Sequence, residues 1–382
     1  MKITTLSPLI LQVNQRGDWL FVLVQTDAGI TGIGEASHSS NDALAVAFLA
    51  QMETMLTGRD PCEIEANRAS LLRLARNGGR IAATVASAIE QALWDILGQS
   101  LGVPIHAMMG GALRKKLRLY ANINRHVKDR SPVSFARAAT QAVADGFTAV
   151  KLAPFDELVG TVRTRTGLHA NWRTGVERVR AVRAAIGDRV ELAVDCHSRM
   201  EESEALIVGQ ELADCNLFWY EEPVPDDQTA SLRQIAKSVP MPIAAGESLF
   251  GIEAFRPFLV ERVVDVLMPD VKHDGGLAET KAIAEAARMQ QLLIAPHQPA
   301  GPVATAATAQ VSSTLSNFYI LEHAWGEVEW RADLLQPAER IEDGHLILSE
   351  ESGLGHRLNP EIEDRYRKNV ASSRDSSKAL VV

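Results

Sequence analysis

The chain has 382 residues, of which 46% are hydrophobic and 23% charged, a composition typical of a soluble globular protein with a sizeable core. Its formal net charge of −9 argues against nucleic-acid binding, which needs a basic surface. The three scattered cysteines favour neither a disulfide framework nor a zinc ribbon, and the sequence shows no signal-peptide pattern and no membrane-length apolar run. We therefore expect a cytoplasmic protein that binds neither nucleic acid nor membranes.

Residues 1–115 are predicted to form an α+β domain. Within 1–36, the apolar runs LFVLVQT and ITGIGEA flank the turn Asp27-Ala28-Gly29, a pattern typical of antiparallel strands. Helical apolar spacing then follows at 40–57, near 62–76 and at 81–101. Gly110-Gly111 and the basic stretch ALRKKLR mark the end of this domain.

Beyond this point, short apolar runs alternate with seven helical segments. The eight runs are LRLYAN, TAVKL, VELAVD, LFWYEE, MPIAAGE, VVDVLMPD, LLIAPH and FYILEH. Continuous apolar runs joined by helices are typical of parallel strands that are buried on both faces. Eight such units predict a (β/α)8-type barrel over 116–335, whereas a doubly wound sheet would carry a Gly-rich turn after its first strand. Residues 336–382 break the alternation and are predicted to form a separate C-terminal segment.

Ionisable residues stand at the carboxyl ends of seven of these runs. They are Lys151, Asp195, Glu221, Glu247, Asp270, His297 and Glu322. From Asp195 onward the steps are 26, 26, 23, 27 and 25 residues, each about one strand–helix unit. In a barrel this spacing places the side chains around one rim, where barrel active sites form. A single charge at a strand end usually just marks a strand that reaches solvent, but six in register predict an active site.

The charged residues sort by chemistry into a metal site and a base. Asp195, Glu221 and Glu247 offer three hard oxygen ligands, which suit Mg²⁺ better than zinc. Lys151 is expected to offset part of their negative charge. Asp270 and His297 on neighbouring strands could form a hydrogen bond, which makes His297 a candidate general base.

Two further expectations concern residues next to the metal site. In VELAVDCHSRM, strand alternation would place Asp195 and His197 on the same side, with Cys196 turned away. Glu222 is one residue out of phase with Glu221, so we expect it to pair with surface lysines.

Taken together, these motifs resemble the mandelate-racemase branch of the enolase superfamily. The resemblance rests on Asp195, Glu221-Glu222-Pro223, Ala245-Gly246-Glu247, Pro269-Asp270, Ala295-Pro296-His297 and the segment ASAIEQALWDILGQSLGVPIHAMMGG at 86–111. It implies an α/β fold: a modified TIM barrel, (β/α)7β, with an N-terminal α+β capping domain that the C-terminal segment completes. It also implies that Mg²⁺ binds a substrate carboxylate, that a base removes the α-proton, and that the metal stabilises the resulting enediolate.

Two departures from the racemase pattern favour a different reaction within this family. The second strand of the racemases reads Lys-x-Lys, whereas this chain reads Lys151-Leu152-Ala153 and lacks the second base. Asp195-x-His197 and the stretch HDGG…APHQPAGPVATAA (273–307) are instead similar to galactonate and mannonate dehydratases. The resemblance therefore implies dehydration of an aldonate to its 2-keto-3-deoxy product, with His297 as base and His197 as the acid that protonates the departing 3-hydroxyl.

The remaining candidates concern the substrate. Glu322 is expected to hydrogen-bond the carboxylate or enediolate, with a purely structural role as the alternative. Candidate substrate contacts are Arg16 and Trp19 in the segment NQRGDW, and Asn122 and Asn124 on the first barrel strand. The loop 155–172, with Arg163, Arg165 and His169, is a further candidate for selecting the sugar acid. A racemase or epimerase of a carboxylate substrate and a non-catalytic binding protein of the same fold are the alternative functions, and we expect a symmetric homo-oligomer.

Overall fold

The first part of the chain folds as a three-stranded antiparallel sheet covered by two helices. The computed structural model describes residues 1–15, 17–37, 41–125, 127–158, 169 and 171–368. The elements of this part are β1 Ile3–Asn14, β2 Gly17–Thr26, β3 Thr31–Glu35, α1 Asp42–Leu56 and α2 Ile64–Leu101. The three strands pair in chain order, as the sequence predicted.

Both faces of this sheet are buried, which explains the nearly continuous apolar run of β2. Leu20, Val22 and Val24 pack with α1 and α2 in one core cluster. Trp19 and Phe21 point to the other side and belong to the main core, which they share with the barrel. The sheet is therefore the layer between the capping helices and the barrel.

Strand β3 lies directly on the backbone of α2. A Cβ on Gly34 would stand 1.9 Å from Ala88 O, and one on Gly32 would stand 2.2 Å from Ala92 O. Two glycines separated by one residue thus remove the side chains from the face of β3 that touches the helix.

The helical segment α2 joins the second and third helices expected from the sequence. It is interrupted at Gly79, whose φ of 70° and ψ of −165° lie outside the helical region. It ends at Gly102 in the left-handed conformation, with φ 67°, and a short helix α3 (Ile105–Met108) follows. The break at Gly79 gives the second half of α2 its own start, next to the barrel.

The described residues between 116 and 323 form a closed barrel of eight strands and seven helices. Its strands are β4 Lys116–Asn122, β5 Ala149–Leu152, β6 Glu191–Asp195, β7 Trp219–Glu221, β8 Ile243–Ala245, β9 Val266–Leu267, β10 Leu293–Ile294 and β11 Leu321–His323. Its helices are α4 Pro132–Ala144, α5 Trp172–Ile186, α6 Glu202–Glu211, α7 Thr229–Ser238, α8 Arg256–Glu261, α9 Leu277–Ala287 and α10 Pro302–Ser312. Neighbouring strands pair in parallel from β4 to β10, and β11 pairs with β4. A parallel bridge between Ile294 and Phe318 completes the ring.

The inside of the barrel is filled by a small cluster of its own. Tyr120 and Trp219 pack edge to face, with ring centroids 5.3 Å apart, among alanines such as Ala193 and Ala244. The ammonium group of Lys151 lies 5.3 Å from the centroid of the Tyr120 ring. This packed layer forms the floor beneath the carboxyl ends of the strands.

The C-terminal segment contacts both parts of the fold. Its elements are β12 Leu335–Gln336, β13 Ile341–Glu342, β14 His345–Ile347, β15 Arg357–Leu358 and α11 Pro360–Tyr366. The hairpin β13–β14 pairs antiparallel with β4 of the barrel. Farther on, Arg367 forms a bridge with Leu11 of β1, and Lys368 N donates to Ile10 O.

The fold class expected from the sequence is confirmed: a (β/α)7β barrel, an N-terminal α+β cap, and a C-terminal segment that returns to the cap. The domain boundaries at 115 and 335 stay predictions. Among the described residues, no helix combines the length and the apolar character needed to cross a membrane.

Candidate active site

Three carboxylates meet at the carboxyl ends of β6, β7 and β8. Asp195 and Glu221 are the last residues of neighbouring strands and are paired in register, while Glu247 follows β8 by two residues. All three are buried, and one oxygen of each lies within 4.8 Å of the others. Glu247 Oε2 has no hydrogen-bond partner among the described residues.

Lys151 supplies a positive charge to this trio from the end of β5. Its Nζ lies 2.6 Å from Glu221 Oε1, 3.0 Å from Glu322 Oε1 and 3.7 Å from Asp195 Oδ2, and the side chain is fully buried. Burial lowers the pKa of Lys151, but the surrounding carboxylates outweigh it and raise that pKa well above the ordinary value. The lysine is therefore held as a cation, as expected from the sequence.

One lysine does not balance the negative charge of the trio. Burial raises the pKa of Glu221, and repulsion from Asp195 and Glu247 raises it further against the opposing effect of Lys151. A divalent cation would relieve that repulsion, and three carboxylate oxygens with room for further ligands are the donor set that Mg²⁺ prefers. The three residues thus fit a magnesium ion.

His297 and Asp270 form a hydrogen-bonded pair beside the trio. His297 Nδ1 lies 2.7 Å from Asp270 Oδ2, and its Nε2 lies 3.3 Å from Glu247 Oε2. Burial raises the pKa of Asp270, but Lys272, His273 and His297 together hold it well below its usual range. An ionised Asp270 accepts the Nδ1 proton, so Nε2 is the ring nitrogen that faces the carboxylates.

His197 lies beside Asp195, but strand alternation does not put it there. The strand ends at Asp195, and His197 and Ser198 have φ values of 47° and 57°, in the left-handed region. His197 Nε2 is 2.9 Å from Asp195 Oδ2, and Nδ1 is 2.5 Å from Asp156 Oδ1. The predicted position is thus right and the predicted reason is wrong, since a tight turn brings the ring back over the strand end.

The two carboxylates favour the protonated form of His197. Burial lowers the pKa of its imidazole, but Asp195 and Asp156 outweigh this effect and raise that pKa well above the ordinary value. Cys196 points into the core between strands and helices, as expected.

The expectation that Glu222 pairs with surface lysines is wrong. Glu222 is only 3% exposed, and Ser198 Oγ donates to its Oε2 over 3.1 Å. Its φ of 39° ends the strand alternation on which the expectation depended. Burial, together with repulsion from Glu247 and Asp226, raises the pKa of Glu222 well above its ordinary value.

Glu322, Asn122 and Asn124 form a network that ties the first, second and last barrel strands together. Asn122 Nδ2 donates to Glu322 Oε1 over 2.7 Å, and Gln298 N donates to Glu322 Oε2 over 2.8 Å. Asn124 donates to Asn122 Oδ1 and accepts from Ala153 N. These contacts favour the structural role of Glu322, and the roles of all three residues toward a substrate stay predictions.

The cavity above these residues has two connected parts. The part that we call the metal lobe is lined by Asn122, Asn124, Asp195 and His197. The part that we call the cap lobe has a volume of about 790 Å³, including space open to solvent, and is lined by Trp19, Ser37, Arg80, Lys272 and His273. His297, Arg125 and Pro299 line both lobes and so mark where they join.

The structure shows the positions of some, but not all, of the candidate contacts from the cap and from the loop 155–172. Trp19 is 3% exposed, stacks edge to face on Trp330, and lines the cap lobe. Arg16, Arg163 and Arg165 lie outside the described residues. His169 is buried and held by Glu204, whose two oxygens each lie 2.7 Å from a nitrogen of the histidine.

Sequence reasoning missed several residues at the cavity or next to it. Among them are Asp156, which contacts His197, and Arg80, Lys272 and His273, which line the cap lobe. Lys272 could have been found, because it follows Asp270 by two residues, the same spacing that singled out His197. Arg80 had no such signal, since only the docking of the cap brings it to the barrel.

Carboxylates of the cap bind the starts of two barrel helices. Glu35 accepts hydrogen bonds from Gly301 N and Ala304 N, at the beginning of α10. Glu90 accepts from the backbone N–H groups at 277 and 278, at the beginning of α9. Helix amino ends favour negative charge, so these contacts hold the cap over the loops that carry Lys272 and Pro299.

Comparison with known proteins places the chain in a class of barrel enzymes that share this fold. Residues 2–110 match the mandelate racemase/muconate lactonizing enzyme N-terminal domain, and residues 134–362 match the enolase C-terminal domain-like family. The chain therefore belongs to the mandelate racemase/muconate lactonizing enzyme family of the enolase superfamily, as its motifs predicted.

Several relatives carry more specific names. A protein named D-xylonate dehydratase from Haloferax volcanii is 32% identical over 348 residues, which cover 89% of this chain and 83% of that protein. A D-galactonate dehydratase from Verminephrobacter eiseniae is 31% identical over 352 residues, which cover 89% of each chain. Among solved structures, a mandelate racemase/muconate lactonizing enzyme-like protein from Rubrobacter xylanophilus superposes with a TM-score of 0.88 at 32% identity, covering 96% of this chain and 97% of that one.

Proposed function

We propose that the protein is a Mg²⁺-dependent sugar-acid dehydratase that removes the C2 proton and the C3 hydroxyl of its substrate. The product would be a 2-keto-3-deoxy sugar acid. The observation that carries this proposal is the presence of two aspartate–histidine pairs at one cavity, His297 with Asp270 and His197 with Asp156, beside the carboxylate trio. Loss of water needs one base and one acid, and the relatives named D-xylonate and D-galactonate dehydratase support the same reaction.

The metal lobe would receive the substrate carboxylate. Asp195, Glu221 and Glu247 would hold Mg²⁺, which when bound supplies positive charge that attracts the carboxylate and stabilises negative charge developing on it. Lys151 lies between Glu221 and Glu322 and adds a second, permanent positive charge near the same oxygens. Glu322 is held in place by its own donors, so it would shape this end of the site.

His297 is the base in the proposed reaction. Its Nε2 takes the proton from C2, and the electron pair of that C–H bond moves toward the carboxylate oxygens. Asp270 keeps the other proton on Nδ1 and stabilises the imidazolium that forms.

His197 is the acid in the proposed reaction. It starts protonated, because both of its nitrogens lie against carboxylates. The electron pair returns to form the C2–C3 double bond, the C3–O bond breaks, and the His197 proton goes to the departing hydroxyl, which leaves as water. The enol so formed becomes the 2-keto product when C3 takes up a proton.

A racemase or epimerase stays an alternative with less support. Proton exchange with inversion needs a second base, and the position where the racemases carry it is Ala153, whose backbone N donates to Asn124. A non-catalytic binding protein would have no use for two oriented histidines.

The proposal is tested by screening four-, five- and six-carbon sugar acids with Mg²⁺, with semicarbazide to detect 2-keto products. We expect turnover of at least one acid, loss of it with EDTA, and a fall of at least about 100-fold in kcat for His297→Asn. His345→Asn, on the hairpin β13–β14 outside the cavity, is the matched control and should keep full activity. Exchange at C2 in D₂O with inversion and no keto product would instead identify a racemase or epimerase.

A further inference from the structure

The cap lobe carries two cationic side chains from different parts of the fold. Lys272 comes from the loop between β9 and α9, and Arg80 comes from α2, directly after the break at Gly79. Both line the cap lobe together with Trp19 and His297. The cap lobe, whose lining includes none of the three carboxylates of the trio, is therefore lined in part by positive charge.

Lys272 is buried, and Asp270 is the one carboxylate of the described residues that forms an ion pair with it within 4.0 Å. Its side chain is 5% exposed, and its Nζ lies 2.5 Å from His273 Nε2 and 3.4 Å from Asp270 Oδ2. The same Asp270 oxygen already accepts the proton of His297 over 2.7 Å. One carboxylate oxygen thus serves both the ammonium group and the base, and burial together with Arg80 lowers the pKa of Lys272 against the opposing effects of Asp270 and Glu35.

His273 provides no negative charge to balance the ammonium group of Lys272. Thr84 Oγ1 donates to Arg80 O and lies 2.8 Å from His273 Nδ1. This pattern places the imidazole proton on Nδ1 and the lone pair on Nε2, toward Lys272. The imidazole orients the ammonium group without neutralising it.

Arg80 also lacks an acidic partner in the described part of the chain. Its Nη1 donates to Ser248 Oγ over 3.1 Å, and no carboxylate of the described residues forms an ion pair with it within 4.0 Å. The carboxylates that line the same lobe have cations of their own: Asp18 pairs with Lys368, and Glu327 pairs with Arg125 and Arg331. The excess positive charge is thus at the end formed by Lys272 and Arg80.

From this arrangement we infer that the cap lobe binds a second anionic group of the substrate, with Lys272 and Arg80 as its contacts. The preferred sugar acids would then be acidic at both ends, either through the terminal carboxylate of an aldarate or through the phosphate of a phosphorylated aldonate. The inference rests on the proposed function, which puts the reacting carboxylate in the metal lobe. An aldarate has the same C1, C2 and C3 groups as the corresponding aldonate, so the proposed steps are unchanged.

The test compares an aldonate with the aldarate and the terminal phosphate ester of the same carbon number and configuration. For each acid, kcat/KM is measured with Mg²⁺ for the wild type, Arg80→Met and Lys272→Met. We expect the wild type to prefer an acid with two anionic groups, and each variant to reduce that preference about 10- to 100-fold, the effect of losing one charged hydrogen bond. The ratio between the two acids cancels any general loss of activity, including damage to the Asp270–His297 pair.

Arg76→Met is the matched control. Arg76 lies four residues before Arg80, on the other side of the break at Gly79, pairs with Glu253 and is 58% exposed, so its loss should leave the preference unchanged. The relative rates of the aldarate and the phosphate ester identify which anionic group the lobe accepts.

Two failures can be told apart. Equal rates for the aldonate and both doubly anionic acids, or a preference unchanged by both variants, would overturn the inference while leaving the dehydratase intact. If no acid is dehydrated, binding of the same acids is measured by calorimetry with Mg²⁺. Tighter binding of a doubly anionic acid than of the aldonate, weakened by Arg80→Met, would support the anion site without the reaction. Equal binding of the aldonate and the doubly anionic acids would overturn the inference.

Discussion

Asp156 is a residue whose importance only the structure reveals. It lies four residues beyond β5, and its Oδ1 holds Nδ1 of His197, while its Oδ2 lies 3.4 Å from Arg130. The carboxylate fixes which way the imidazole turns and leaves Nε2 on the side of Asp195. In the proposed reaction, Asp156 is thus a positioning residue for the acid, as Asp270 is for the base.

This arrangement predicts that the two halves of the reaction can be separated. His197→Asn should abolish water loss and leave exchange of the C2 proton by His297 intact. Asp156→Asn should slow water loss about 10- to 100-fold, since it replaces a charge-assisted hydrogen bond with a neutral one, and should also spare exchange. Both rates are measured with an acid found in the screen, by NMR in D₂O and by keto-product formation.

Glu157→Gln is the neighbouring control, because Glu157 pairs with Arg130 and Arg178 and not with a histidine. It should preserve the ratio of exchange to water loss. An equal fall of exchange and water loss in Asp156→Asn would mean that Asp156 only supports the loop.

Among the elements, β11 closes the barrel and ends in an unusual histidine. Glu322 faces the site, and the next residue, His323, points outward and stacks on Phe147 with ring planes 14° apart. His323 is 6% exposed, and its Nδ1 has no hydrogen-bond partner among the described residues. Burial, together with Arg331, lowers the pKa of His323 to about 4.

The buried histidine predicts a loss of stability in mild acid. In the unfolded chain His323 binds a proton below its ordinary pKa of about 6.5, whereas in the folded protein it binds that proton only below about pH 4. The free energy of unfolding should therefore fall by about 2 kcal/mol from pH 7 to pH 5 through this group alone. His323→Phe keeps the stacking and should remove that part of the pH dependence in urea titrations, whereas parallel curves for both proteins would refute it.

At the scale of the whole molecule, the cap is held to the barrel by buried carboxylates. Glu35 is fully buried and holds the amino end of α10, directly after the loop that carries His297 and Pro299. Arg331 approaches the same loop from the C-terminal side, donating to Ala300 O over 2.8 Å. The cap lobe lies between the two parts that these contacts join.

Removal of Glu35 should therefore loosen the cap. In Glu35→Ala the N–H groups of Gly301 and Ala304 lose their acceptor, which costs about 1–3 kcal/mol for each buried donor left unpaired. Hydrogen exchange followed by mass spectrometry should show faster exchange over 299–305. Glu53→Ala removes a carboxylate that accepts from Leu6 N within the cap itself, so the same peptide should keep its protection in that control.

Features that depend on residues close together in the sequence could be predicted, whereas contacts between distant segments could not. Seven of the eight apolar runs contain the whole observed strand and the first lacks only Lys116, because burial on both faces leaves a local pattern. The proximity of Asp195, Glu221 and Glu247 and the Asp270–His297 pair follow from the positions of strand ends in the sequence. Glu222 and the turn at His197 were misjudged because left-handed backbone at a strand end has no signature in the pattern of apolar residues.

The residues missed at the cavity share a different cause. Asp156 reaches His197 across two loops, and Arg80 reaches the cap lobe only through docking of the cap on the barrel. Neither contact can be predicted from the periodicity of apolar residues, because each depends on how segments distant in the sequence pack together in space.

The way the cap is attached has a consequence for how such a protein can change over evolutionary time. Glu35 and Glu90 bind main-chain N–H groups, so the attachment uses no loop side chain, although Gly301 and Gly276 have no room for a Cβ beside the two carboxylates. Side chains on the two loops beneath them, such as Lys272 and Ala300, can then be exchanged without weakening the attachment. New substrate preferences can arise by mutation of those loops one residue at a time, while the shape that encloses the substrate is inherited unchanged.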